Sequence, residues 1–155
     1  MGALALTPLE DAPGQAPMVG AWIEHEWRRL PIHAYFDAVA RRETWNQSLP
    51  RTLIAIQRPM GHVVGTVSIL NDDMETRPDL NPWIGCLYVL PDYRGRGLGG
   101  TLMRGGEALA RSLHLPRLYL FAARGTELYR RLGWAEIGQE YYEDAWSVLM
   151  VKNLI

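Results

Sequence analysis

A single cysteine, Cys86, is all the thiol chemistry available in this 155-residue chain. One cysteine excludes an internal disulfide framework and fits a reducing compartment, so a cytoplasmic protein is expected. An excess of either charge is missing too: 16 Lys and Arg stand against 17 Asp and Glu, a formal net charge of −1. Without a basic excess there is no electrostatic basis for general nucleic-acid binding. No apolar run reaches the roughly 18 residues that a membrane span needs. The N-terminal stretch carries Glu10 and Asp11 and lacks the basic-then-apolar pattern of a signal peptide, so neither a leader nor a membrane partner is expected. His25, His33, His62 and His114 are scattered without metal-ligand spacing, and no metal is expected. Repeats, low-complexity tracts and linkers are also missing, and the expectation is one domain over residues 1–155.

Hydrophobic residues make up 48% of the chain, enough for a packed core. Six tryptophans and seven tyrosines suggest a core and a cleft with large aromatic walls. Periodicity predicts a short strand near residues 3–6, a helix over 17–30 and a second helix over 31–48 ended by Pro50. Residues 52–57 and 63–70 are β-branched and aliphatic around a Pro-Met-Gly turn, which reads as a hairpin. An acidic loop over 71–81 follows, with Asp72, Asp73, Glu75 and Asp79 against Arg77. Strands are predicted over 83–89, 117–121 and 147–152, a long helix over 97–113 and a short one over 126–132. Thr126 is its candidate N-cap and Gly133 its C′ residue. The elements describe a mixed α/β domain.

Arg94-Gly95-Arg96-Gly97-Leu98-Gly99-Gly100 lies between an apolar strand and an amphipathic helix that has Leu98, Leu102, Leu109 and Leu113 on one face. A glycine-rich turn that opens a helix offers N–H groups without helical partners and the positive end of the helix dipole. Glycines let a phosphate approach the backbone closely, and Arg94 and Arg96 add planar donors suited to phosphate oxygens. The stretch reads as a grip for a phosphorylated cofactor. Gly105 and Gly106 inside the helix each cost about 1 kcal/mol relative to alanine, which close packing of the helix on a sheet would explain.

The run from Val89 through Pro91, Arg94 and Gly97 to Gly99, followed by Leu128-Tyr129-Arg-Arg-Leu132-Gly133-Trp134, resembles the GCN5-related N-acetyltransferases (GNAT). Arg94, Gly97 and Gly99 fit the family's pyrophosphate-turn pattern, and the order of elements fits over almost the whole chain. The resemblance implies a central, mostly antiparallel sheet of six or seven strands with splayed fourth and fifth strands, flanked by about four helices. It implies acetyl-coenzyme A as co-substrate. Backbone groups of Leu87, Tyr88 and Val89 would meet the pantetheine amides, and the turn from Gly95 through Leu98 and Gly100 to Thr101, with Arg94 and Arg96, would hold the pyrophosphate. Tyr129 matches the family tyrosine that serves as general acid for the departing thiolate. The asparagine common after the fifth strand has no counterpart, because Ala122, Ala123 and Arg124 stand there. The implied acceptor is a primary amine, with a small molecule favoured by the aromatic content, and the resemblance leaves room for a homodimer.

An amine with a lysine-like pKa near 10.4 must lose a proton before it attacks. The strand over 83–89 contains no carboxylate, and the acidic loop, Glu140, Glu143 and Asp144 are all open as the base. Cys86 in an apolar strand reads as core rather than nucleophile. Tyr141, Tyr142 and Trp146 lie where family members often wall the acceptor site. Two other functions compete. Gly95 to Gly100 also satisfies G-x-G-x-x-G, which suggests a dinucleotide oxidoreductase, but Ala122-Ala123-Arg124 supplies no acid for a ribose. A non-catalytic acyl-coenzyme A sensor is the other alternative.

Overall fold

A computed structural model describes residues 3–27 and 32–155. It contains seven strands: β1 Leu4–Pro8, β2 Arg51–Gln57, β3 His62–Leu70, β4 Trp83–Val89, β5 Arg117–Ala122, β6 Ala135–Tyr142 and β7 Ala145–Asn153. Four α-helices are α1 Ala16–Glu26, α2 His33–Ala40, α3 Leu98–Ser112 and α4 Thr126–Arg131. The strands form one sheet in the order β1-β2-β3-β4-β5-β7-β6. All neighbours are antiparallel except β4 and β5, which run parallel. This is the mixed, mostly antiparallel fold that the resemblance implies.

Alternation along the strands divides the core between the two faces of the sheet. Trp83, Cys86 and Ile54 pack with Val19 and Ile23 of α1 and Tyr35 and Phe36 of α2. Ile84, Ala55 and Val67 pack on the opposite face with Leu98, Leu102 and Met103 of α3. The two internal glycines of α3 have the close-packing explanation. A Cβ on Gly106 would lie 2.6 Å from Ile84 Cδ1, and one on Gly105 would run into Leu6. Glu107, the next residue and also buried, accepts from Lys152 Nζ at 2.6 Å and from Trp134 Nε1 at 3.3 Å.

Three helices end the same way. In each, the N–H after a positive-φ residue reaches back five positions to a carbonyl of the last turn, a Schellman closure. The positive-φ residues are Arg42 after α2, His114 after α3 and Gly133 after α4, with bonds Glu43 to Ala38, Leu115 to Ala110 and Trp134 to Tyr129 at 2.9–3.1 Å. Gly133 is the C′ residue expected. Arg42 closes α2 at Ala40, so the helix expected over 31–48 is much shorter, and its first position lies outside the described residues. The helix expected over 17–30 ends at Glu26, capped by Trp27, and residues 28–30 also lie outside the described residues. Thr126 is not the N-cap of α4: Gly125, at φ 78°, takes that position, and no side chain caps the helix. Strand β6 was absent from the sequence reading. It is a sheet edge, mostly exposed and interrupted by a bulge near Gly138, so it has no apolar alternation to detect.

Candidate active site

The site begins as a fork. Strands β4 and β5 share a single register pair, Trp83 with Tyr119, and beyond it they diverge. A bulge in β4 increases the divergence. Thr66 faces Tyr88 and Ser68 faces Gly85, so Cys86 and Leu87 together oppose Val67. Cys86 takes φ 53°, an uncommon conformation for a side chain of this kind, and the extra residue bends and twists the strand.

On one side of the fork lies a groove of about 490 Å³. Leu87, Tyr88, Val89, Arg94, Gly95, Gly97, Leu98, Gly99 and Gly100 line it, which gathers nine of the predicted binding residues at one place. Gly95 and Gly97 have φ of 74° and 83°, and a Cβ at either would meet nothing within 4 Å. The open side of this turn is therefore bare backbone at the start of α3, whose first N–H groups have no partner within the helix. Arg94 is anchored: its Nε donates to the Val89 carbonyl at 2.8 Å, and its guanidinium covers the Tyr88 ring at 5.5 Å. The Val89 carbonyl thus already accepts one hydrogen bond. Two predicted residues stand outside the groove lining. Arg96 lies over the Tyr93 ring at 5.4 Å, and the Thr101 hydroxyl donates back to the Gly97 carbonyl at 3.2 Å. Leu128 and Arg131 of α4 complete the far wall. Sequence reading missed Arg131 because only the packing of α4 beside α3 brings it there.

On the other side of the fork is a chamber of about 210 Å³ that shares Trp27 and Leu87 with the groove. Tyr129, Phe121 and Tyr142 provide aromatic walls, and Gly85 and Cys86 form part of the floor. Burial raises the hydroxyl pKa of Tyr129. Burial, then the nearby Asp73 charge, pushes the Cys86 thiol well up, so it stays protonated and is a poor nucleophile. Of the aromatics expected to wall an acceptor site, Tyr142 lines the chamber. Tyr141 and Trp146 instead pair with each other on the exposed surface, 56% and 66% accessible.

Four carboxylates line the chamber, Asp72, Asp73, Glu75 and Glu143, and among the described residues no Lys, Arg or His does so. Asp72, Asp73 and Glu75 come from the loop 71–82, which Met74 and Leu80 pin into the core. Across the chamber mouth Arg77 contacts Glu140 at 3.6 Å, Thr76 donates to Glu140, and the Glu75 N–H donates to the Tyr142 hydroxyl at 3.3 Å. Glu143 projects from the two-residue β6–β7 turn, where it and Asp144 both have positive φ. Arg77 also binds Asp79 at 2.9 and 3.0 Å and lowers the carboxyl pKa of that residue, so Asp79 and Glu140 are committed to holding the loop.

The family model described as the acetyltransferase (GNAT) family matches residues 18–134. The chain belongs to the GNAT family. No curated protein sequence matches it. Solved GNAT structures do match in fold. A GNAT acetyltransferase from Streptococcus pneumoniae is similar at TM-score 0.71 and 19% identity, over 97% of this chain and 99% of that one. Arabidopsis thaliana NAA60 in complex with acetyl-CoA is similar at TM-score 0.70 and 17% identity, over 97% and 98%. Mutant forms of the Vibrio cholerae spermidine/spermine N-acetyltransferase are similar at TM-score 0.71 and 15% identity, over 97% and 94%. GNAT membership and a mostly antiparallel sheet remove the doubly wound oxidoreductase alternative. No helix among the described residues is long and apolar enough to cross a membrane.

Proposed function

We propose that this GNAT protein transfers an acetyl group from acetyl-CoA to the primary amine of a small cationic molecule, by direct attack. The observation that carries the reading is the fork itself, a glycine-bordered groove on one side and a carboxylate-lined chamber on the other, joined at Leu87 and Trp27. The bare turn at Gly95 and Gly97 suits a pyrophosphate, with Arg131 and Arg94 adding positive charge nearby. A pantetheine arm running along Leu87–Val89 would bring the thioester to the fork.

The acceptor enters through the chamber. Four carboxylates, with no lining cation among the described residues, attract and orient an ammonium group, and the aromatic walls cover its carbon skeleton. The amine lone pair attacks the thioester carbonyl carbon, the C–N bond forms and the C–S bond breaks. The Tyr129 hydroxyl, kept protonated by its burial, donates to the departing thiolate. A protonated Cys86 argues against an acetyl-enzyme intermediate.

The test has two stages. Thermal midpoints are measured with acetyl-CoA, CoA, NADH and NADPH. A ligand at 100 times its dissociation constant adds about 2.7 kcal/mol, roughly 5–10 °C here, and only the CoA species should shift the midpoint. Spermidine, tyramine and a short lysine peptide are then assayed for acetylated product by mass spectrometry, with spermidine expected to be the best. Binding of acetyl-CoA without acetylation of any amine would favour the non-catalytic sensor, and product from the peptide alone would overturn the small-molecule reading.

A further inference from the structure

We propose that Asp73 is the proton acceptor for the incoming ammonium, seated against β4 in space that exists because residue 85 is glycine. The assignment rests on the N-acetyltransfer reading above. Its starting point is a chemical need that β4 leaves unmet, since the strand from Trp83 to Val89 has no carboxylate of its own. The bulge turns both Gly85 and Cys86 toward the chamber. A Cβ on Gly85 would lie 2.5 Å from Asp73 Oδ2 and 3.3 Å from its Cγ. The carboxylate therefore lies directly on the backbone of β4, reached from the loop 71–82 instead of from the strand.

Asp73 differs from the other carboxylates of the chamber. Asp72, Glu75 and Glu143 are exposed, whereas Asp73 is half-buried, and Asp79 and Glu140 are held by Arg77. Among the described residues, the ionisable groups that share the chamber with it are Glu143 from the β6–β7 turn, Tyr142 from β6, Tyr129 from α4, Cys86 from β4, and Asp72 and Glu75 on its own loop. None is a cation that would hold Asp73 ionised. Burial, reinforced by the Glu143 charge, raises its carboxyl from an ordinary aspartate value to about 7. A base with a pKa near neutrality combines a large deprotonated fraction with good proton affinity.

The proton count closes. The ammonium gives one proton to Asp73, directly or through one water, and the neutral amine attacks the thioester carbon. Tyr129 protonates the departing sulfur and recovers the second proton of the former amine. Asp73 releases its proton to solvent through the chamber mouth, so one amide, one thiol and one proton are formed.

The test is the pH profile of spermidine acetylation from pH 5.5 to 9.5 for the wild-type chain, Asp73→Asn and Gly85→Ala, with acetyl-CoA binding followed in parallel by thermal shift. Asp73→Asn should lower kcat by about 100-fold and abolish an ascending limb near pH 7, with acetyl-CoA binding unchanged. Gly85→Ala should lower kcat by displacing the carboxylate, again without loss of acetyl-CoA binding. Asp73→Asn within threefold of wild-type kcat, one that keeps the ascending limb, or Gly85→Ala with wild-type kcat overturns the assignment alone. Absence of product from the wild-type chain overturns the functional reading and this assignment with it.

Discussion

Asp73→Asn should make the protein more stable, and by an amount that depends on pH. The carboxyl of Asp73 is raised from 3.8 to about 7, first by burial and then by Glu143. A group whose folded pKa lies above its unfolded pKa favours folding when protonated and opposes it when ionised. Below pH 4 both states are protonated and there is no cost. The cost grows from pH 4 to 7 as the unfolded chain ionises freely and the folded chain does not, and it is complete above pH 7. Three pKa units correspond to about 4 kcal/mol at most. Asp73 is half-buried, and solvent screening reduces this to about 2 kcal/mol. Asparagine keeps the shape and removes the charge. At pH 8 its thermal midpoint should exceed the wild type's by about 4–8 °C, and the difference should vanish near pH 4. Calorimetry of both proteins at pH 4, 5, 6, 7 and 8 measures it. A difference that does not change with pH, or that favours the wild type at pH 8, would refute the account of the chamber's electrostatics. With the activity loss predicted for the same variant, the outcome would be a stability cost carried for function.

Other perturbations test separate parts of the site. Gly97→Glu places a side chain on backbone at φ 83° and negative charge at the start of α3, and should abolish the acetyl-CoA thermal shift. Tyr129→Phe should lower kcat at least tenfold while leaving acetyl-CoA affinity within about threefold, measured by calorimetric titration; normal turnover would remove the hydroxyl from the mechanism. Glu107→Ala leaves Trp134 Nε1 without its acceptor and Lys152 without its counter-charge, with only the Leu132 carbonyl to hold the ammonium, and should cost about 3 kcal/mol, a fall of roughly 6–12 °C in thermal midpoint with acetyl-CoA binding retained.

What the sequence determined by itself was local. The strands around Ile54, Val67 and Trp83 were legible because their burial writes a β-branched, apolar pattern into consecutive residues. The α3 turn was legible because a tight backbone approach demands glycine at Gly95 and Gly97, and no other residue serves as well. The end of α4 was legible for the same reason at Gly133. The matching closures of α2 and α3 were not, because Arg42 and His114 take the left-handed conformation with no glycine to announce it. Edge strand β6 was silent because an exposed strand owes little to hydrophobicity. Tertiary structure alone decided the chemistry of the acidic loop. Asp72, Asp73, Glu75 and Asp79 are interchangeable as letters, and what separates them is contact. Arg77 takes up Asp79, Asp72 and Glu75 stay exposed, and Asp73 rests on Gly85, in a strand that follows it in the chain. A pKa is set by the desolvation and charge around a carboxyl group, and those come from residues distant in sequence that only the folded chain brings together.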